Sequence, residues 1–195
     1  MDHPEAYKIA QNLMDTLAPG CERIEIAGSL RRMRPTVKDI ELVAIPAIIN
    51  QPDLFGNPIK TTNRIIELLE RLEKAKRIRF DKGQFKYRQY FVFEHAIALD
   101  LFMVTPPAFW GVIFTQRTGP WEFSKLMVTQ RSRGGFLPSY AQVKQGVVYQ
   151  HGKPVPMPEE QDFFRFCGLP YIDPPDRDEA AQTPKELYGR YLGLR

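Results

Sequence analysis

The apolar residues of the first hundred positions keep helical spacing, switch to strand-like alternation, return to helical spacing, and alternate again as far as Pro106-Pro107. A chain patterned this way can bury its apolar surface only by laying helices on a sheet. Ala6, Ile9, Ala10, Leu13, Met14 and Leu17 form one face of a helix with Pro4 in its first turn and Pro19-Gly20 at its end. Arg23–Ala27 alternates as a strand and runs into Gly28-Ser29, a place for a tight turn. Asp39–Ile45 reads as the next strand, closed by Pro46, and residues 46–60, rich in Pro, Asn and Gly, read as a loop. Ile65, Ile66, Leu68, Leu69 and Leu72 mark a second helix. Arg77–Phe80, Lys86–Phe93 and Ala96–Val104 then read as strands, the last two as a hairpin. The order α-β-β-α-β-β-β predicts an α+β fold with a mixed sheet and packed helices.

Pro106-Pro107 predicts a boundary between residues 1–105 and a smaller α/β lobe over 106–195. In that lobe the pattern predicts a short helix over 107–114, a helix over 120–133 closed by Gly134-Gly135, and short strands to about 155. A helix from Pro158 to Cys167 follows, with a further one near Pro184–Tyr191. Cys21 and Cys167 make no disulfide framework, and the three scattered histidines argue against zinc. The N-terminus lacks a signal-peptide core, and no apolar run approaches the roughly 20 residues of a membrane span. The expected setting is intracellular, the cytoplasm or nucleoid of a bacterium or the host cell of a phage or virus, with no membrane partner and a monomeric chain. The net charge of +4 favours a polyanionic partner, and its distribution says more than its total. Arg64, Arg71, Lys74, Lys76, Arg77, Arg79 and Lys82 form one basic cluster; Lys125, Arg131 and Arg133 form another.

The chemistry-bearing residues lie around two strands. Residues two apart on a strand share a face, so Asp39 and Glu41 project together while Ile40 and Leu42 face the core. Two adjacent carboxylates repel unless a cation lies between them, and hard oxygen ligands on a strand suit Mg²⁺. A third carboxylate is needed to hold two metals about 3.5–4 Å apart. Asp100 is the candidate, a lone charge in an otherwise apolar strand. Arg31, Arg32, Arg34 and Lys38 crowd the intervening loop, as they would if a triphosphate lay beside the carboxylates; Ser29 and turn N–H groups can bind its oxygens. Taken singly, each feature has an ordinary reading. Asp39 and Glu41 could be a solvated strand face, Asp100 an edge-strand charge that discourages aggregation, and Gly28-Ser29 a turn.

Gly28-Ser29, Arg31-Arg32, the acidic pair Asp39/Glu41 and the distant Asp100 resemble the nucleotidyltransferase superfamily, and within it the family X DNA polymerases typified by DNA polymerase beta. Thr118-Gly119 followed by Phe123, Ser124 and Lys125 looks like the family's Thr-Gly turn and the helix after it. Gly135-Phe136, Gly152-Lys153-Pro154-Val155-Pro156, Asp162-Phe163-Phe164, Gly168-Leu169-Pro170-Tyr171-Ile172 and Pro174-Pro175 extend the likeness, which spans about residues 5–180. The chain departs from the pattern in four places. Glu41 replaces the usual second Asp, Lys38 a common Gly, Ala98 an Arg that often precedes the third Asp, and Gln116-Arg117 the aromatic pair before the Thr-Gly turn. Phe114 stands two positions away from that pair and could either swing into its place or not.

The resemblance implies a nucleotidyltransferase-type palm over 1–105 and a thumb lobe over 106–195, as in the minimal viral members. It implies attack of a DNA 3′-hydroxyl on a nucleoside triphosphate, with Mg²⁺ (Mn²⁺ substituting) held by Asp39, Glu41 and Asp100. Gly28, Ser29, Arg32, Lys38, Thr118 and Gly119 would bind the nucleotide, and Ser124, Lys125, Arg131 and Arg133 the DNA, either a primer-template or a gap. The rivals are a template-independent, small-molecule, protein or RNA-end nucleotidyltransferase, and a nucleic-acid-binding module without activity.

Overall fold

The computed structural model describes residues 1–52 and 58–183, with Glu186 and Gly189 beyond them. The chain forms two units, one of residues 1–26 and 36–104 and the other of residues 27–35 and 105–195. The sequence placed the boundary at 105/106 and assigned 27–35 to the first unit. That segment instead belongs with the second, because Arg31 and Arg32 make their bonds there.

In the first unit, helix α1 (His3–Leu17) is opened by Asp2, whose carboxylate accepts the Glu5 N–H at 2.9 Å, with Pro4 in the first turn. It buries Ala6, Ile9, Ala10, Leu13 and Leu17. Strands β1 (Cys21–Ile26) and β2 (Asp39–Pro46) pair antiparallel. Within the span 46–60 the described residues are not simply a loop: β3 (Ile48–Pro52) and β4 (Pro58–Asn63) form a two-stranded antiparallel sheet. Its prolines stand at strand ends, where a missing N–H costs little, so a Pro-rich composition hid the strands. Helix α3 (Arg64–Lys74) buries Ile65 and Leu69, and β5 (Ile78–Gln84), β6 (Tyr87–Val92) and β7 (Ile97–Met103) complete the sheet. Strand order is β1-β2-β7-β6-β5. The β2/β7 pair is parallel and its neighbours are antiparallel, so the sheet is mixed.

One face of the sheet carries Ile40, Leu42, Ala44, Leu99 and Leu101, all fully buried, with Tyr90 and Val92 beside them. Each of the Ile and Leu side chains contributes about 1.5–3 kcal/mol on burial. The packing of β7 between β2 and β6 makes it the central strand. Asp100 is therefore no edge-strand charge; the ordinary reading that would have explained it away does not apply.

In the second unit, the four-residue helix α2 (Gly28–Arg31) stands where a turn was expected. Helix α4 is Trp110–Thr118, starting later and running further than the pattern predicted, and α5 is Trp121–Val128, with a separate 3₁₀ turn over Arg131–Arg133. Strands β8 (Ala141–Lys144), β9 (Val147–Gln150) and β10 (Lys153–Val155) form an antiparallel sheet, followed by α6 (Glu160–Phe166) and α7 (Arg177–Gln182). Val112, Phe123, Met127, Phe136, Leu137, Phe163, Phe164 and Cys167 build the core. The helix expected near Pro184–Tyr191 lies almost wholly outside the described residues. No described helix is long and apolar enough to cross a membrane.

Candidate active site

Register decides where the three carboxylates go. In the parallel pair, Glu41 lies directly opposite Asp100, and Asp39 opposite Ala98. Paired residues share a face, and so do residues two apart on one strand. Asp39, Glu41, Ala98 and Asp100 therefore stand on one face, all half-buried, while Ile40, Leu42, Leu99 and Leu101 fill the other. The structure thus brings all three predicted carboxylates together on two interior strands.

The electrostatics match that placement. Burial pushes the Asp39 carboxyl above its ordinary value, and the charge of Asp100 pushes it further; its own backbone N–H and the exposed Lys38 offset only part of this. Lys38 thus acts on the candidate site as a nearby positive charge. Asp100 has partners of its own. The Gln89 side-chain amide donates to Oδ1 at 2.7 Å and the Tyr87 hydroxyl donates to the same oxygen at 3.0 Å. Gln89 faces Asp100 across the antiparallel β6/β7 pair. Both residues were missed in the sequence, because cross-strand register is invisible there.

Among the described residues, no group of three or more Asp, Glu, His or Cys side chains is arranged to hold a metal ion as it stands. The donor set nevertheless fits Mg²⁺, which ordinarily takes one or two protein carboxylates and fills its shell with water and substrate phosphate oxygens. A cavity of about 400 Å³ lined by Ile9, Leu13, Leu72, Arg77, Ile78 and His95 contains none of the three carboxylates.

The remaining predicted residues, apart from Lys38, lie in the second unit. Gly28 has φ +61 and opens α2 with Ser29, which is half-buried. That left-handed φ suits glycine. Arg32 is engaged within its own unit: Nε lies 3.2 Å from Asp178 Oδ2, and Nη1 donates to the Thr118 carbonyl. Gly119 ends α4 with φ +67, and a Cβ there would sit 3.0 Å from Arg32 Nη1. The Thr-Gly turn is therefore a backbone shape closed around an arginine. Thr118 accepts from Arg31 through Oγ1 at 2.5 Å.

The expected DNA contacts divide. The Ser124 hydroxyl donates to the Gln116 carbonyl at 2.7 Å, tying α5 to α4. Lys125 is exposed, its ammonium 5.0 Å from the centre of the exposed Trp121 ring. Arg131 donates to the Cys167 carbonyl at 2.6 Å and its Nε is buried, so its guanidinium is part of the fold. Arg133 is exposed. Phe114 is buried in a regular helix, against Trp110 and under the Arg31 guanidinium, which lies 3.9 Å from its ring centre. Gln116 is half-buried and Arg117 exposed.

Beside these lies a network that leaves little trace in the sequence. Glu160 is buried and accepts from Arg31 at 2.6 Å, Arg177 at 3.0 Å and the Tyr171 hydroxyl at 3.1 Å. Burial alone would raise its carboxyl, but the hydrogen bond from Arg31 and the charges of Arg177 and Arg31 outweigh it and hold the carboxyl below its ordinary value. Arg177 is fully buried among the rings of Phe123, Phe164 and Tyr171. Compared with known protein families and with curated proteins, the chain finds no match in either.

Proposed function

We propose that the chain is a metal-dependent nucleotidyltransferase of the DNA polymerase beta kind, with the first unit as its nucleotidyltransferase-type palm. It adds deoxynucleoside monophosphates to a DNA 3′-hydroxyl, releases pyrophosphate and serves short gap-filling synthesis. One observation carries this reading: Asp39, Glu41 and Asp100 share one face of two neighbouring interior strands, with Glu41 and Asp100 in direct register. Burial and the charge of Asp100 raise the cost of ionising Asp39, a cost that divalent cations offset. Asp39 and Glu41 would hold both ions, and Asp100 the ion beside the primer end. Mg²⁺, when bound, lowers the pKa of the attacking hydroxyl and screens the charge that develops on the phosphates. Mn²⁺ can stand in for it.

Lys38, whose charge acts on Asp39, offers the triphosphate a positive charge. Primer extension with and without a template strand, run beside an RNA end and a small hydroxyl acceptor, separates this reading from its rivals. Templated addition to DNA alone supports it; addition only to another acceptor, or binding of DNA without any addition, contradicts it.

The choice of sugar gives a sharper expectation. Where family X members place an aromatic pair, this chain has a half-buried Gln116 and an exposed Arg117, with Phe114 held in the core. Discrimination resting on shape is worth about 1–3 kcal/mol. Part of it should be lost here, and a flexible amide or guanidinium can bond an added hydroxyl. Deoxynucleotides remain preferred, but ATP is incorporated opposite template T more readily, relative to dATP, than by enzymes with the aromatic pair. Matched incorporation efficiencies measure this, and a dATP preference as strong as theirs refutes it.

The exposed cations predict the mode of DNA binding. Arg71, Lys74, Lys76, Arg77, Arg79 and Lys82 are exposed, as are Lys125 and Arg133, while Arg64 is paired with Glu67 at 3.0 Å. If several contact phosphates, affinity for gapped DNA falls roughly tenfold or more between about 50 and 200 mM salt. A titration showing constant affinity over that range contradicts it.

A further inference from the structure

Resting on the proposed metal-dependent activity, we infer that Gln89 and Tyr87 are positioning residues for Asp100, fixing one carboxylate oxygen so that the other is presented to a divalent cation. Family X polymerases often carry an arginine two residues before the third acid, and here that position is Ala98, whose side chain has no donor. The two donors come instead from the neighbouring strand. The register of β6 against β7 sets Gln89 opposite Asp100 and Tyr87 opposite Phe102. The amide at 2.7 Å and the hydroxyl at 3.0 Å both meet Oδ1, and neither reaches Oδ2.

Two donors on one oxygen fix the rotation of the carboxylate and leave it to act through a single oxygen. Both donors are neutral, so neither brings the positive charge that an arginine would. Groups behind metal ligands typically change affinity or activity by 10–100-fold when lost. The Tyr87 ring is held independently, stacked on Phe102 with centroids 5.0 Å apart, and its hydroxyl is thereby aimed rather than free to rotate away. The pair thus sits on a strand and a packed ring, the rigid support a metal-facing carboxylate needs.

The test uses substitutions that keep volume and packing while removing the donors: Gln89→Met, Tyr87→Phe, and both together in the full chain. Mn²⁺ binding is followed by electron paramagnetic resonance, alongside nucleotide addition and thermal unfolding. Gln89→Met should weaken Mn²⁺ binding roughly tenfold or more, Tyr87→Phe less, and the double variant most. In each, kcat should fall at fixed metal while KM for the nucleotide stays unchanged and the melting temperature stays near that of the wild type. Gln89→Asn keeps the amide but shortens its reach and should recover only part of the loss. A wild type that binds Mn²⁺ and adds nucleotides, with variants that bind Mn²⁺ equally well, overturns the positioning role and leaves the proposed function standing. A wild type that neither binds Mn²⁺ nor adds nucleotides overturns both.

Discussion

Asp39→Asn and Asp100→Asn will each lower nucleotide addition by at least about a hundredfold, a loss typical of removing a group that stabilises developing charge, without lowering the stability of the fold. The two halves of this expectation come from one cause. Burial and the charge of Asp100 already disfavour the ionised Asp39 carboxylate. Its folded-state pKa lies above its unfolded value, so near neutral pH the ionised group opposes folding, and that opposition fades only as pH falls through the folded value. An isosteric neutral amide removes the opposition at every pH. Asp100→Asn removes the charge acting on Asp39 and should behave alike, although its amide must also rearrange against the Gln89 and Tyr87 donors. Single-nucleotide incorporation and thermal unfolding on the same preparations check this. More than a few per cent of wild-type activity in either variant sinks the assignment of that residue, and a large fall in melting temperature would show that the carboxylates serve the fold.

Glu160→Ala will destabilise the protein by about 3–5 kcal/mol, the cost of breaking a buried ion pair from one side. The reason is Arg177, which is fully buried and would be left without the carboxylate that balances its charge. Arg31 and Tyr171 would each lose an acceptor too. The pH dependence has a definite sign. Arg31 and Arg177 hold the Glu160 carboxyl below its ordinary value of 4.5. The stability it contributes is therefore present above that ordinary value and is lost as pH falls through the depressed folded value. Urea unfolding of the wild type should show stability declining on that acid side, and Glu160→Gln should start lower and decline less there. A Glu160→Gln variant as stable as the wild type, or one with the same acid decline, would show that the network contributes little.

How far the sequence could carry this account is visible in particular residues. Apolar periodicity located α1, α3 and the strands that matter, because burial of one face is written into spacing. Asp100 announced itself as a lone charge in an apolar run, and the structure puts that run on the central strand of the sheet. Tyr87 and Gln89 gave no comparable signal. They are ordinary polar residues until the register puts them beside Asp100, and register follows from the assembled sheet. The Glu160 network is similarly hidden, since its partners lie 129 and 17 residues away along the chain. Arg32 and Arg131 read in the sequence as nucleotide and DNA contacts, and in the fold they have carboxylate or carbonyl partners. Residues 27–35 look like part of the first unit because they join two of its strands; the bonds of Arg31 and Arg32 assign them to the second.

The central claim is that a shared carboxylate face transfers nucleotides to DNA. A labelled primer on a one-nucleotide gap, given Mg²⁺ and the complementary deoxynucleoside triphosphate, tests it most directly, with pyrophosphate measured in the same reaction. The account predicts extension by one residue with one pyrophosphate released per primer extended, abolished by chelating the metal and by Asp39→Asn. No extension by the intact protein with Mg²⁺ or Mn²⁺, or extension that Asp39→Asn leaves unchanged, would contradict it.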